Sequence, residues 1–117
     1  MMEYVEGGDL SSNLEISGRF SEETVRSILA QLLLALKELK KHRIVHGDIK
    51  LENILYSFED GRIKLADFGL AFVENNPRKT AHGTPEYMAP EQILESKVGF
   101  ESDMWATGIC TYEMLLG

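Results

Sequence analysis

His46-Gly47-Asp48-Ile49-Lys50-Leu51-Glu52-Asn53 is the stretch that decides the fold of this chain, and Asp67-Phe68-Gly69 begins fourteen positions after Asn53. The two segments carry carboxylates, an amide and an ammonium group on short loops. Oxygen ligands of this kind bind Mg²⁺, and a carboxylate and a lysine can position and neutralise a phosphoryl group. Any one of these side chains alone is most often a solvated loop residue, so the prediction depends on their combination and order.

Composition and charge limit the classes of partner. The chain has 117 residues, of which 44% are hydrophobic and 26% charged, as expected for one small domain with a buried core. Its net charge of -7 argues against nucleic acid or an anionic membrane as the main partner, since both require clustered Lys and Arg. Basic peptides suit this charge better.

Cysteine use and hydropathy bear on location. Cys110 is the one cysteine of the chain and cannot form an internal disulfide. Glu3, Glu6 and Asp9 interrupt the N-terminal segment, so it does not resemble a secretory signal. The longest apolar run, residues 32–36, is far shorter than the roughly 20 residues that cross a bilayer. We therefore expect a cytoplasmic or nuclear protein with no membrane partner.

Two segments show helical patterning. Ser21 can cap a helix whose first turn holds Glu22-Glu23, and apolar residues then recur at helical spacing up to Lys40-Lys41. The recurring positions are Val25, Ile28, Leu29, Leu32, Leu36 and Leu39. A second helical pattern covers residues 102–116. The first of these helices is expected to pack one apolar face into the core.

The remaining segments are shorter. Residues 44–45 and 54–56 are β-prone and Glu59-Asp60-Gly61 is a turn signal, so residues 54–65 are predicted to form a small hairpin. Residues 67–91 have no sustained period. They are expected to form a mobile segment.

Further motifs follow in an order that carries a resemblance. They are Gly83-Thr84-Pro85-Glu86-Tyr87, Ala89-Pro90-Glu91 and Asp103-Met104-Trp105-Ala106-Thr107-Gly108. With the two opening segments, they make the chain resemble the middle of a eukaryotic protein kinase catalytic domain over its whole length. The resemblance implies an α+β, mainly helical fold, namely a partial C-terminal lobe of the kinase type with a small β-hairpin, in one domain spanning residues 1–117. The positions of Lys50 and Thr84 within these motifs resemble those of Ser/Thr kinases more than those of tyrosine kinases.

The resemblance also implies chemical roles. It implies transfer of the γ-phosphate of ATP to a Ser or Thr hydroxyl of a protein or peptide, with ATP and Mg²⁺ as cofactors. Asp48 would orient the substrate hydroxyl, Lys50 would stabilise the transferring phosphoryl group, and Thr84 would contact both. Asn53 and Asp67 would hold Mg²⁺.

An ATP pocket follows from the same resemblance. Met2 resembles the gatekeeper beside adenine, Glu3 and Val5 lie in the segment similar to the hinge, and Asp9 would approach the ribose. Leu55 resembles the apolar floor under the adenine ring. The internal hydrophobic column that continues this floor would contain Leu10, Ile54, Cys110 and Met114.

A second internal column would contain His46, Phe68 and Asp103, with Asp103 anchoring the backbone around His46. His46 is therefore predicted to be structural rather than a metal ligand or a base. By the same resemblance, Cys110 is a small core residue rather than a redox thiol.

Gly47 stands where most of the family has arginine, the residue that pairs with a phosphate on the activation loop. Thr80 occupies the position similar to that phosphorylation site. Because glycine cannot form this pair, we predict activity that depends little on phosphorylation of Thr80. Glu52 and Glu113 match positions that receive a substrate Arg in some relatives, which suggests a preference for basic peptides; the alternative is that both are ordinary surface acids.

Three interpretations remain open at the level of sequence. The resemblance begins at the hinge and lacks the glycine-rich loop, the strand lysine and the later helices, so the chain resembles a piece of a kinase that is expected to be inactive or nearly so alone. The second interpretation is a nonenzymatic kinase-like binding module, against which the retention of Asp48, Lys50, Asn53 and Asp67 argues. The third is a product that does not fold stably, because truncation would expose apolar surface.

Overall fold

Helices dominate the part of the chain that the computed structural model describes, which is residues 8–57, 60–68, 71–73, 85–95 and 99–117. The elements in chain order are α1 (Leu10–Ser17), α2 (Glu22–Lys41), β1 (Ile44–Val45), β2 (Ile54–Tyr56), β3 (Ile63–Leu65), β4 (Phe72–Val73), α3 (Pro90–Glu95) and α4 (Phe100–Leu116). Single 3-10 turns lie at Leu51–Asn53 and Pro85–Tyr87. The mainly helical α+β class with small antiparallel sheets is confirmed.

Helix α2 forms for the reasons that its sequence predicts. The Ser21 hydroxyl accepts a hydrogen bond from the backbone N–H of Thr24 at 3.1 Å, which satisfies one of the free donors of the first turn. Acids occupy the first turn and lysines the last, matching the helix dipole. The buried face contains Val25, Ile28, Leu32 and Leu36. Helix α2 thus forms one wall of the core, and both of its predicted ends are confirmed.

Helix α4 packs against α2 and forms the opposite wall of the core. Its inward residues recur at intervals of three and four and are Asp103, Ala106, Thr107, Cys110 and Met114. The helix begins at Phe100, two residues before the predicted start. The reason is that Ser102 lies inside the first turn, where its hydroxyl accepts a hydrogen bond from the N–H of Gly99 at 2.9 Å.

Two small antiparallel sheets lie on either side of the loop at residues 46–53. Strand β1 pairs with β4 in the register Ile44↔Val73, and β2 pairs with β3 in the register Ile54↔Leu65. The predicted hairpin of residues 54–65 is therefore confirmed. The loop that carries Asp48 starts at the end of one sheet and finishes at the beginning of the other, which fixes both of its ends.

Two helices were not predicted from the sequence. Helix α1 is short, begins after Asp9, and buries Leu10 and Leu14. Helix α3 begins at Pro90, where the missing N–H costs nothing because that position has no partner within the helix. Strand β4, the turn at Pro85–Tyr87 and the start of α3 fall within residues 67–91, where the sequence shows no sustained period. The expected mobility of that segment concerns mainly positions outside the described residues.

Candidate active site

The loop at residues 46–53 gathers three of the predicted functional side chains. The Asn53 amide nitrogen donates to the backbone carbonyl of Asp48 at 2.8 Å and to its Oδ2 at 3.3 Å. Lys50 Nζ lies 3.7 Å from the same Oδ2, and the side chains of Lys50 and Asp48 are only 24% and 12% exposed. A carboxylate, an ammonium and an amide group therefore lie in contact at a partly buried place, where electrostatic interactions are stronger than in bulk water.

Beneath this loop, the carboxylate of Asp103 holds the backbone. Its Oδ2 accepts the N–H of His46 at 2.8 Å and its Oδ1 accepts the N–H of Gly47 at 3.1 Å. Burial raises the pKa of Asp103, and the two N–H donors oppose that shift because they favour the charged form. Asp103 also lies in the first turn of α4, whose positive end favours a carboxylate. The predicted anchoring of His46 by Asp103 is confirmed.

The His46 ring links this loop to the segment after β3. Its Nδ1 accepts the backbone N–H of Asp48 at 3.1 Å, and its Nε2 lies 3.0 Å from the carbonyl oxygen of Ala66. Both contacts are satisfied by the neutral tautomer with its proton on Nε2. Phe68 packs edge-on against the ring, with centroids 4.8 Å apart. The fully buried His46 ring therefore holds the backbone of Asp48 and that of Ala66 in place, in agreement with the structural role that the sequence predicts.

The β2–β3 hairpin brings Asn53 opposite the residue that precedes Asp67. The N–H of Ala66, one residue before Asp67, donates to the carbonyl oxygen of Asn53 at 2.9 Å. Asp67 itself has φ +54°, a left-handed conformation that aspartate tolerates better than most residues. This backbone turn directs the chain away from β3 directly after the last ladder bond.

The donor chemistry of this pair suits Mg²⁺. The Asn53 amide nitrogen is bonded to Asp48, so the carbonyl oxygen of the Asn53 side chain is the atom that could ligate a cation. Asp67 adds a carboxylate, and hard oxygen ligands of both kinds fit Mg²⁺. Within the described ranges, no group of three or more His, Cys, Asp or Glu side chains could hold a metal alone. A magnesium ion here would therefore need further oxygens, such as phosphate oxygens.

On the predicted nucleotide side, Gly8 and Asp9 run along β2. Asp9 forms an antiparallel bridge with Leu55, and the N–H of Tyr56 donates to the carbonyl of Gly8 at 2.9 Å. The Asp9 carboxylate caps α1 by accepting the N–H of Ser12 at 2.7 Å. Leu55 is half-buried, whereas Leu10, Ile54, Cys110 and Met114 are fully buried members of one core cluster. Four predicted site residues lie outside the described residues: Met2, Glu3, Val5 and Thr84.

The charges of Glu52 and Glu113 both act on Tyr87. Burial raises the pKa of the Tyr87 hydroxyl, its hydrogen bond to Glu113 adds to the shift, and the charge of Glu52 contributes. Both acids also act on Cys110, whose pKa is raised chiefly by burial. The contact between Tyr87 and Glu113 was not predicted, since the sequence presents Tyr87 only as part of a motif. It joins the segment before α3 to α4.

The family model described as the protein kinase domain matches residues 1–117, which is the whole chain. The chain belongs to the protein kinase family. Similar kinases include a putative protein kinase C delta type homolog of Drosophila melanogaster, a mitogen-activated protein kinase kinase kinase 2 of Arabidopsis thaliana and a serine/threonine-protein kinase 1 of Heliothis zea nuclear polyhedrosis virus. Their identities to this chain are 44% over 120 residues, 43% over 122 and 42% over 117, respectively.

The alignments with these kinases cover 100% of this chain but 18%, 19% and 43% of the three relatives. The chain thus spans less than half the length of each. Among the helices that the structure describes, none combines the length and the apolar character that a membrane crossing requires. The kinase resemblance predicted from the sequence is confirmed over the entire chain.

Proposed function

We propose that this kinase chain carries the phosphoryl-transfer centre of a protein Ser/Thr kinase, which moves the γ-phosphoryl group of Mg-ATP to a Ser or Thr hydroxyl of a protein substrate. The observation that supports the proposal is the cluster of Asp48, Lys50 and Asn53 on one loop, with Asp67 adjacent to it across the hairpin. Phosphoryl transfer depends mainly on positioning and on charge stabilisation, and this cluster supplies groups for both.

Each residue has a distinct part in the proposed step. A bond forms between the substrate oxygen and the γ-phosphorus, the bond to the bridging oxygen of ADP breaks, and the hydroxyl proton goes to Asp48. Lys50, 3.7 Å from Asp48, neutralises charge on the transferring group. Asn53 and Asp67 would hold Mg²⁺, which when bound would offset the negative charge of the phosphates. Thr84, which lies outside the described residues, is proposed to act with Asp48 and Lys50.

ATP binding involves the segment before α1 and strand β2. Leu55 packs under adenine, Asp9 approaches the ribose, and Met2, Glu3 and Val5 border the adenine edge. The bridge between Asp9 and Leu55 supports this assignment, because it brings the ribose and adenine residues to neighbouring positions on one surface. The Asp9 carboxylate retains a second oxygen beside the one that caps α1.

Substrate choice in this proposal follows the acids near Tyr87. The charges of Glu52 and Glu113 both act on Tyr87 and Cys110, and in this proposal the two carboxylates receive a substrate Arg. The net charge of -7 favours basic peptides as well. A positional peptide array tests this preference. Enrichment of Arg or Lys upstream of the phosphorylated residue is expected, and a flat profile would contradict it.

Catalysis is tested with two forms of the protein. Mg-ATP binding is measured by calorimetry on the 117-residue chain, and transfer of labelled phosphate is measured on a chimera in which this chain replaces the matching region of the viral relative. We expect the chimera to phosphorylate Ser/Thr peptides, and Asp48→Asn and Asp67→Ala to lower the rate by about a hundredfold or more. Asp60→Asn, an exposed aspartate in the hairpin turn, is the matched control.

The outcomes separate the enzyme from the binding module. A wild-type chimera that folds and binds its peptide but transfers no phosphate would exclude the proposed centre and favour the nonenzymatic interpretation. Equal activity of Asp67→Ala and Asp60→Asn would also contradict the assigned roles.

A further inference from the structure

Gln31 on α2 makes two hydrogen bonds to the β2–β3 hairpin that the proposed chemistry does not use directly. Its Nε2 donates to the carbonyl oxygen of Gly61 at 2.7 Å, and its Oε1 accepts the N–H of Ile63 at 3.1 Å. Both bonds span distant parts of the chain and are partly buried. One primary amide therefore bonds both a donor and an acceptor of the same strand segment.

The two contacted groups lie on the outer edge of β3. Arg62 and Ala66 bond toward β2, through their carbonyl and N–H groups, at 2.9 Å each. Backbone bonds of an antiparallel strand alternate between its two edges, so the carbonyl of Gly61 and the N–H of Ile63 face the other side. The Gln31 amide pairs with this edge as one peptide group of a further strand would. It does so from a helix, which gives β3 a fixed partner on each edge.

An isolated two-stranded hairpin is at best marginally stable, so its position depends on what it packs against. Strand β3 is held at its start by Gln31 and just beyond its end by His46, whose ring contacts the carbonyl of Ala66. Asp67 follows Ala66 directly. A displacement of β3 along β2 would move Asp67 relative to Asn53, since a shift in register alters every cross-strand pair.

We propose that Gln31 is a positioning residue that fixes the register and location of the β2–β3 hairpin and so sets the spacing between Asn53 and Asp67. The effect of Gln31 on magnesium and ATP binding is exerted through β3 and rests on the proposed function. The effect of Gln31 on the position of the hairpin is independent of the proposed function. The signal in the sequence is a single amide beside the apolar positions of α2, between Ile28 and Leu32.

The test compares Gln31→Met with Gln31→Glu. Methionine keeps the chain length and helix propensity of glutamine but removes both hydrogen bonds, whereas glutamate keeps an acceptor for Ile63 and loses the donor to Gly61. Glu38→Met is the matched control, because Glu38 is an exposed α2 side chain that contacts His42 of the same helix. Amide hydrogen exchange is followed by NMR at Ile63, Ala66 and Leu36.

We expect Gln31→Met to accelerate exchange about tenfold at both Ile63 and Ala66, since loss of an ordinary hydrogen bond shifts a local opening equilibrium by about that factor. Leu36 in the α2 core should exchange as in the wild type. Gln31→Glu should leave Ile63 slow and give an intermediate rate at Ala66. If Gln31→Met unfolds the α2 core as well, the Gln31→Glu comparison with Glu38→Met decides the same question.

Faster amide exchange at Ile63 with unchanged exchange at Ala66 would overturn the proposal, because the effect of Gln31 would then be confined to the start of β3. The second measurement is the ratio of ATP dissociation constants with excess EDTA and with Mg²⁺. Gln31→Met is expected to lower this ratio at least threefold relative to Glu38→Met, and an unchanged ratio would exclude a role in metal positioning. A wild-type chain without any Mg²⁺ dependence would contradict the proposed function, while the exchange at Ala66 would still decide the role of Gln31.

Discussion

Replacing Asp103 with alanine should destabilise the chain by a measurable amount and release the loop that carries Asp48. The substitution removes the acceptor of two backbone N–H groups, those of His46 at 2.8 Å and of Gly47 at 3.1 Å. Asp103 is 3% exposed and His46 is fully buried, so water cannot readily replace the carboxylate. Both N–H groups would be left without a good acceptor.

The magnitude follows from those two bonds. A hydrogen bond to a charged group contributes about 1.5–3 kcal/mol, and removing one partner of a buried charged network costs about 3–5 kcal/mol. Alanine also removes a carboxylate whose burial is unfavourable, which offsets part of the loss. We therefore expect the free energy of unfolding to fall by about 3 kcal/mol, at the lower end of that range.

Urea unfolding followed by circular dichroism provides the assay. With a slope of about 2 kcal/mol per molar urea, a loss of about 3 kcal/mol lowers the midpoint by about 1.5 M. Glu101→Ala, an exposed acid of the same helix turn, should leave the midpoint nearly unchanged. Equal midpoints for Asp103→Ala and Glu101→Ala would refute the reasoning that Asp103 holds this loop.

Three further predictions concern other parts of the site. Gly47 has φ +86°, so Gly47→Ala should cost about 1 kcal/mol of stability in urea unfolding; equal stability would contradict the strain argument. In the chimera, Thr80→Ala should change phosphate transfer by less than about twofold, and a loss of most activity would show that Thr80 has another partner. Because the folded pKa of Asp103 lies above its ordinary 3.8, the protonated group stabilises the fold below pH 3.8, and this contribution is lost as pH rises through the folded pKa. As the pH rises from below 3.8 through the folded pKa, the urea midpoint of the wild type should therefore fall relative to that of Asp103→Asn. Midpoints of the two proteins that change in parallel with pH would contradict the raised pKa of Asp103.

The elements that the sequence predicts are those with local causes. Helix α2 carries its cap, its dipole charges and its apolar face within one continuous segment, and the hairpin carries its turn between two β-prone runs. Helix α1 was not predicted because it has only eight residues and two buried leucines. A segment of that length is too short for a helical period to be recognised. The pairing of β1 with β4 joins two-residue strands that lie far apart in the chain, and neither strand specifies its partner.

At the site, the sequence identifies which residues assemble but not how they are held. Asp48, Lys50 and Asn53 were predicted from their order within a motif, and their proximity follows from one short loop. The tautomer of His46 depends on two contacts, with Asp48 and with Ala66, that exist only after folding. The bonds from Gln31 to the hairpin are equally nonlocal, and a polar residue beside an apolar helix face does not reveal its partner.

Because Cys110 is buried, its rate of labelling by a thiol reagent can report local opening of the core. It is the one cysteine in the sequence, its side chain is fully buried, and burial raises the pKa of its thiol, so the reactive thiolate is suppressed while the fold is intact. A thiol reagent can reach it only when α4 separates from the rest of the core. The labelling rate therefore measures how often that separation occurs, and a nucleotide that binds the closed form should slow labelling in proportion to its affinity.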